Sequence, residues 1–241
     1  MLTYGNHFVG KRNNYLLKYY NKYNPLNLPP NTVRVRTNDG NAPVKIFLTT
    51  YQTATLVEGT TDVYDVYKSG TSFECLLNGS TNVIEVLGGN TTDITNMVSM
   101  FSGADALISV ALFDTSKVTN MTRMFHACKK LPTVPLFDTS NATNMHGMFE
   151  TCDLITSIPL FNTSNVTEMA YMFNYCLALT TVPLFDTSNV TDMQAMFNSC
   201  ESFITSPLFD TSKVTNMSSM FNRCESIASI PLFDTSKVTN M

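Results

Sequence analysis

The chain has 241 residues, of which 44% are hydrophobic and 14% charged, against about 25% charged in an ordinary soluble domain. Its formal net charge of -4 lacks the basic excess of a protein that binds nucleic acid or anionic lipid, so we expect neither partner. No stretch approaches the roughly 20 apolar residues of a membrane helix, so we also expect no membrane insertion.

The first 72 residues differ in composition from the rest. Residues 1–24 are rich in Tyr, Asn and Lys and show no signal peptide, and the stretch NPLNLPPN then breaks any regular structure. VRVRTNDG (33–40) alternates like a strand and VKIFLTTY (44–51) follows, which predicts a hairpin with its bend at NDG. We therefore interpret residues 1–72 as an N-terminal tail and a small β-rich module for capping or attachment.

Residues 73–241 consist of a repeated unit of 24 residues. Three features keep this step: a Phe-Asp or Phe-Asn pair, a Met-Phe pair and a cysteine. The period lies within the range of leucine-rich repeats, about 20–29 residues. The unit that starts at about 73 is degenerate, as expected of a cap, and the last unit stops in mid-unit at Met241, which favours an array that continues or another cover at that end.

Each unit has two halves with different spacing. Val118, Met121, Met124, Phe125 and Cys128 lie on one helical stripe, and the preceding Asp-Thr-Ser offers N-cap oxygens. The other half, LPTVPL (131–136), fits the LxxLxL strand of the leucine-rich consensus, with very short strands because of its prolines. The predicted fold class is α/β: a leucine-rich-repeat-type solenoid of 24-residue strand-helix units with a small β-rich N-terminal module.

Units of the form LxxVPLFDTSNVTNMxxMFxxC resemble the BspA-like leucine-rich repeats of bacterial, mycoplasma and protist surface proteins, and similar arrays occur in gut bacteriophage proteins. The resemblance covers roughly residues 73–241. It implies an αβ solenoid with a short parallel sheet on one face and helices on the other. It also implies adhesion to host proteins or cells.

The residue pattern offers little for catalysis or metal binding. The repeat cysteines lie on the apolar stripe, which favours small buried hydrophobes over disulfides or zinc ligands. We interpret the repeated Asp (Asp114 and its equivalents) as a turn and N-cap residue, and His126 and His146 as surface histidines. Because no catalytic motif occurs, we expect no enzyme activity, no cofactor and no metal.

The positions that change from unit to unit are where recognition of a partner can be encoded. Four large side chains replace small or polar residues on the predicted helix side: Arg123, Tyr171, Tyr175 and Arg223. Tyr and Arg are good binding anchors. We therefore take these four as the candidate partner-binding residues, while the uniform Ser/Thr-Pro face would suit a repetitive partner such as a glycan.

Two functions remain open. The first is a non-enzymatic repeat protein that binds a protein or glycan on a cell surface and is itself displayed on a cell or virion, and so is extracellular. The alternative is a structural virion component, a tail fibre or head decoration, in which residues 1–72 dock onto other virion proteins.

Overall fold

One mixed sheet lies at the N-terminal end of the described chain, which comprises residues 26–37, 52–58 and 60–241 of the computed structural model. Its strand order is β2-β3-β1-β4-β5, antiparallel except for the parallel pair β4 and β5. The strands are β1 (Thr32–Thr37), β2 (Gln52–Leu56), β3 (Val63–Lys68), β4 (Val83–Asn90) and β5 (Ser109–Val110). The sheet runs across the predicted domain boundary at 72/73, which stays a prediction.

β1 carries out the alternation that its sequence predicts. Val33 and Val35 are buried, while Arg34 and Arg36 lie partly exposed between them. Arg34 forms a bidentate ion pair with Asp65 on β3 (2.7 and 2.8 Å), and Arg36 pairs with Glu85 on β4. The centre of the sheet is thus fixed by apolar packing on one side and cross-strand ion pairs on the other. The predicted bend at 38–40 and the returning strand 44–51 lie outside the described residues, apart from the start of β2.

The predicted helices are wrong, because the described residues contain no helix at all. Consequently, none of them lies in a helix long and apolar enough to cross a membrane. An α-helix needs each N–H to bond the carbonyl four residues back. Here Cys128 N–H bonds the Phe125 carbonyl, three residues back, whereas Phe125 N–H leaves its own coil and bonds the Met148 carbonyl. The segment is a run of tight turns whose alternate N–H groups point to the next coil.

Two backbone angles in each coil explain this correction. Arg123 (φ 53°) and Ala127 (φ 57°) lie in the left-handed region, and equivalent residues do so in every described coil. An α-helix cannot continue through a left-handed residue. The apolar spacing that predicts a helix is satisfied equally by this turn chain, since Met121, Met124 and Phe125 are all fully buried.

The predicted strand half is also largely absent among the described residues. Beyond the two-residue β5, this half shows only one isolated bridge, between Thr205 and Ser229. Prolines such as Pro135 lack the N–H that a strand ladder requires. The leucine at the third apolar position faces outwards instead of inwards, with Leu136 60% exposed.

Apolar ladders along the stack form the core. Phe101, Phe125 and Phe149 stack at ring-centroid distances of 5.2 and 5.6 Å, and the row continues through Phe221. The repeat cysteines are buried, as the sequence predicts, and each thiol donates a hydrogen bond to a carbonyl of the previous coil, as Cys128 does to Phe101 (3.2 Å). Burial raises the pKa of Cys128 and Cys176 well above its ordinary value.

Replacing Thr151 by Gly should stabilise the protein by about 0.5–1 kcal/mol. Thr151 is β-branched and held at φ 61°, whereas Gly79 and Gly103 occupy the same place in other coils. The matched control, Gly103→Ala, should lower stability by a similar amount. Urea unfolding midpoints measure both, and a lower midpoint for Thr151→Gly would contradict the turn geometry. Far-UV circular dichroism should lack the paired minima of helical proteins.

Thiol titration tests the burial of the cysteines. A thiol reagent at mildly alkaline pH should react quickly with half-buried Cys75 and hardly at all with Cys128, Cys152, Cys176 and Cys200. Cys75→Ser should abolish the fast phase, while unfolding in guanidinium should expose all six cysteines. Rapid labelling of more than two thiols in the native protein would show that the stacked coils do not shield them.

Candidate partner-binding face

Two columns of left-handed residues run along the turn segments of the stack. The first column contains Arg123 and Tyr171, and the second contains Tyr175 and Arg223, so all four predicted residues fall in these columns. The first column is Cys75, Ser99, Arg123, Gly147, Tyr171, Ala195 and Ser219; the second is Gly79, Gly103, Ala127, Thr151, Tyr175, Ser199 and Arg223. The sequence could have revealed them through the three glycines that share the 24-residue register.

The backbone fixes where these side chains lie. Arg123 N–H bonds the His146 carbonyl (2.9 Å), and Tyr175 N–H bonds the Asn198 carbonyl (2.9 Å). Such pairing between coils sets a spacing of about 4.8 Å, so Arg123 and Tyr171, two coils apart, are separated by about 10 Å. Tyr175 is 43% exposed, Arg123 and Arg223 are exposed, and Tyr171 is half-buried.

A polar ladder runs between the two columns, and sequence reasoning missed it. Its members are Ser102, His126, Glu150, Asn174, Asn198 and Asn222, one from each coil. Asn222 donates to Asn198 (2.7 Å), Asn198 to Asn174 (2.7 Å), and Asn174 to Glu150 Oε1 (3.0 Å). The amides thus all donate towards one carboxylate, an arrangement in which successive hydrogen bonds polarise one another.

The second carboxylate oxygen of Glu150 is held by cations. Its Oε2 lies 3.5 Å from Arg123 Nε and 3.9 Å from His126 Nε2. Gly147 makes room for this arrangement, because a Cβ there would lie 3.1 Å from Glu150 Oε2 and 3.2 Å from Arg123 Cγ. Arg123 is therefore anchored from below while its side chain stays half-exposed.

His146 and Tyr171 form a second contact on this face. Their rings lie 5.4 Å apart and tilted, and His146 Nδ1 is 3.7 Å from Glu168 Oε1. Glu168 also accepts the N–H of Ala170, as Asn144 accepts that of His146. The prediction of free surface histidines therefore needs correction, since both histidines contact carboxylates.

The repeated Asp has the turn role that the sequence predicts, but caps no helix. Asp138 Oδ1 accepts both the N–H (3.0 Å) and the hydroxyl (2.7 Å) of Ser140. Hydrogen bonds from Ser188 lower the pKa of Asp186 in the same way. Among the described residues, no group of three or more His, Cys, Asp or Glu side chains has the geometry to hold a metal ion.

The stacked coils and their ladders define a repeat protein. A family profile described as a Mycoplasma protein of unknown function, DUF285, matches residues 71–182 and 180–241, and the chain belongs to this family. No curated protein matches the chain. Among solved structures, it is similar to a leucine-rich repeat protein from Eubacterium ventriosum, at 18% identity and a TM-score of 0.47. That similarity covers 71% of this chain but only 41% of the other. The BspA-like assignment stays a prediction.

The titration of His126 reports on the ladder. Burial lowers its pKa, Glu150 raises it and Arg123 lowers it. Glu150→Gln should therefore lower the pKa of His126 further, and Arg123→Ala should raise it, as measured by NMR titration with His146 as the internal reference. Shifts of the same sign in the two variants would contradict the geometry.

Protein stability should follow this pKa. Because the native His126 binds a proton less readily than the unfolded chain, stability is complete above the unfolded value of about 6.5 and declines as pH falls below it. His126→Gln should remove this part of the pH dependence, as measured by urea unfolding between neutral and mildly acidic pH.

Proposed function

We propose that the chain is a non-enzymatic repeat protein that binds a protein or glycan partner on a cell surface through the two columns around Arg123, Tyr171, Tyr175 and Arg223. It is displayed outside the cell, on a cell or a virion. The BspA-like resemblance of its units supports this display, and the geometry of the columns supports the binding role.

One observation carries the proposal: large side chains occupy strained backbone positions. Tyr171, Tyr175 and Arg223 have φ values of 59°, 59° and 56°. A left-handed conformation costs an ordinary residue roughly 1–2 kcal/mol, and such strain concentrates at functional sites. Gly, Ala and Ser occupy the same columns in other coils with the same backbone, so the fold itself does not require a Tyr or an Arg there.

The chemistry of the face suits a protein or a glycan. Tyr and Arg offer flat, amphipathic contact surfaces that lose little side-chain entropy on binding. His146 packs against Tyr171, and the ladder holds Arg123, so both anchors are preorganised. Between them the ladder offers amides and hydroxyls that can hydrogen-bond a polar partner.

Catalysis has weak support even where Ser102, His126 and Glu150 lie in line. Ser102 is buried, and His126 Nε2 is 3.9 Å from Glu150 Oε2, beyond hydrogen-bond distance. The neighbouring N–H groups are already used, since Ser102 donates to Ser99 and Gly103 to His126. A developing oxyanion would therefore find no free donor there.

The test is a quadruple alanine variant of the full chain at Arg123, Tyr171, Tyr175 and Arg223. Alanine already occurs in both columns, as Ala195 and Ala127, so unfolding midpoints should change little. Binding to cells, glycan arrays or candidate proteins from the source environment should fall at least tenfold, the loss expected when binding anchors are truncated.

The matched control changes exposed Lys129 and Lys130, outside both columns, to alanine and should leave binding unchanged. Binding that survives the quadruple change would overturn the assignment of this face. If the intact chain bound no cell or glycan but copurified with particles, the alternative role as a virion component attached through residues 1–72 would be favoured.

A further inference from the structure

A stripe of exposed leucines runs along the side of the stack that carries the PLF motif. Leu136, Leu160, Leu184 and Leu208 are each 60–62% exposed, and Leu232 is 97% exposed. They recur every 24 residues and so stand one above another at about 4.8 Å. We call these five residues the leucine stripe. A contiguous exposed apolar patch of this kind marks an interaction site.

Uniform polar columns flank the leucine stripe on both sides. Three residues before each leucine is an exposed hydroxyl: Thr133, Ser157, Thr181, Thr205 and Ser229. Two residues after each leucine is Asp138, Asn162, Asp186, Asp210 or Asp234. The segments between these columns carry no Lys or Arg. The face therefore consists of a hydroxyl column, an apolar column and a largely anionic column.

We infer that the leucine stripe binds the leucine stripe of a second copy of this chain, with the two stacks parallel. A partner must present apolar groups at about 4.8 Å over five rows to fill the gaps between these leucines. A second stack of hydrogen-bonded coils has this spacing. A second copy also has the same leucines, so the two rows interdigitate in register.

Charge decides the relative direction of the two copies. If the stacks ran antiparallel, the two-fold axis would lie across the coils and each anionic column would face the other. If they run parallel, the two-fold axis lies along the stack, and the anionic column of one copy faces the hydroxyl column of its partner. The second arrangement avoids like-charge contacts and places donors opposite acceptors.

The dimensions indicate a weak dimer. Five rows at about 4.8 Å and a segment of about 16 Å from hydroxyl to carboxylate give a footprint of roughly 300–400 Å². Stable interfaces bury about 800 Å² per partner. The dissociation constant should therefore be on the order of micromolar or weaker.

Sedimentation velocity of the full chain, from micromolar to millimolar concentration, tests this inference. The unchanged protein should dimerise reversibly, and Leu160→Gln/Leu184→Gln should weaken the dimer at least tenfold. The matched control, Leu154→Gln, removes a leucine that is 52% exposed but outside the stripe, and should dimerise normally. Circular dichroism and melting should be unchanged in all variants, because these side chains lie outside the core.

A monomeric protein at the highest concentration would overturn the inference, as would a dimer unaffected by the double change or equally weakened by Leu154→Gln. Capture of another protein on the stripe by a monomeric chain would likewise count against it.

Cysteine cross-linking determines the direction. In a Cys75→Ser background, Leu136→Cys alone should form a covalent dimer on mild oxidation, because parallel copies place residue 136 opposite itself. Antiparallel copies would place residue 136 opposite residue 232. Cross-linking only in a mixture of Leu136→Cys and Leu232→Cys proteins would therefore overturn the parallel arrangement.

Discussion

The hydrogen bonds between successive coils are the constraint on which the rest of the structure depends. In each complete repeat, four N–H groups of the turn segment bond carbonyls 23 residues further along, as Met97, Ser99, Phe101 and Gly103 do. Threonine N–H groups bond in the opposite direction, as Thr119 does to Thr95. These bonds fix the distance between coils near 4.8 Å and align identical positions. Every ladder in the molecule follows from that alignment.

Alignment also explains how a chain with few charges satisfies its buried polar groups. Each buried threonine of the DTS motif donates its hydroxyl to a carbonyl of the next coil, as Thr115 does to Asp138 (2.7 Å). The cysteines do the same with the previous coil. Because the partner is always in the neighbouring coil, a substitution is satisfied only if that coil can adapt. The amide ladder tolerates Glu150 and His126 for this reason, since Asn174 can donate to Glu150 and Ser102 can hydrogen-bond His126.

The two exposed faces differ in what they can recognise. The left-handed columns change from coil to coil, from Gly to Tyr to Arg, and can distinguish one partner from another. The leucine stripe is the same in each coil and can distinguish only a partner with the same spacing. A protein built in this way can bind a partner on one face and a copy of itself on the other, which would multiply weak binding through avidity.

The sequence alone determined the period, the rows that are buried and the four large residues that lie outside the core. These follow from composition at fixed spacing, because an apolar residue that recurs at one position in a stack must share one environment. Whether the stripe formed a helix was decided only in three dimensions. Positions such as Met121, Met124 and Phe125 fit a helix and a chain of turns equally well, and the choice depends on the N–H groups. A single unit would satisfy them internally as a helix, whereas a stacked unit can give every second one to its neighbour. The outward direction of Leu136 was decided in the same way, because Pro135 removes the strand hydrogen bond that would have set its alternation.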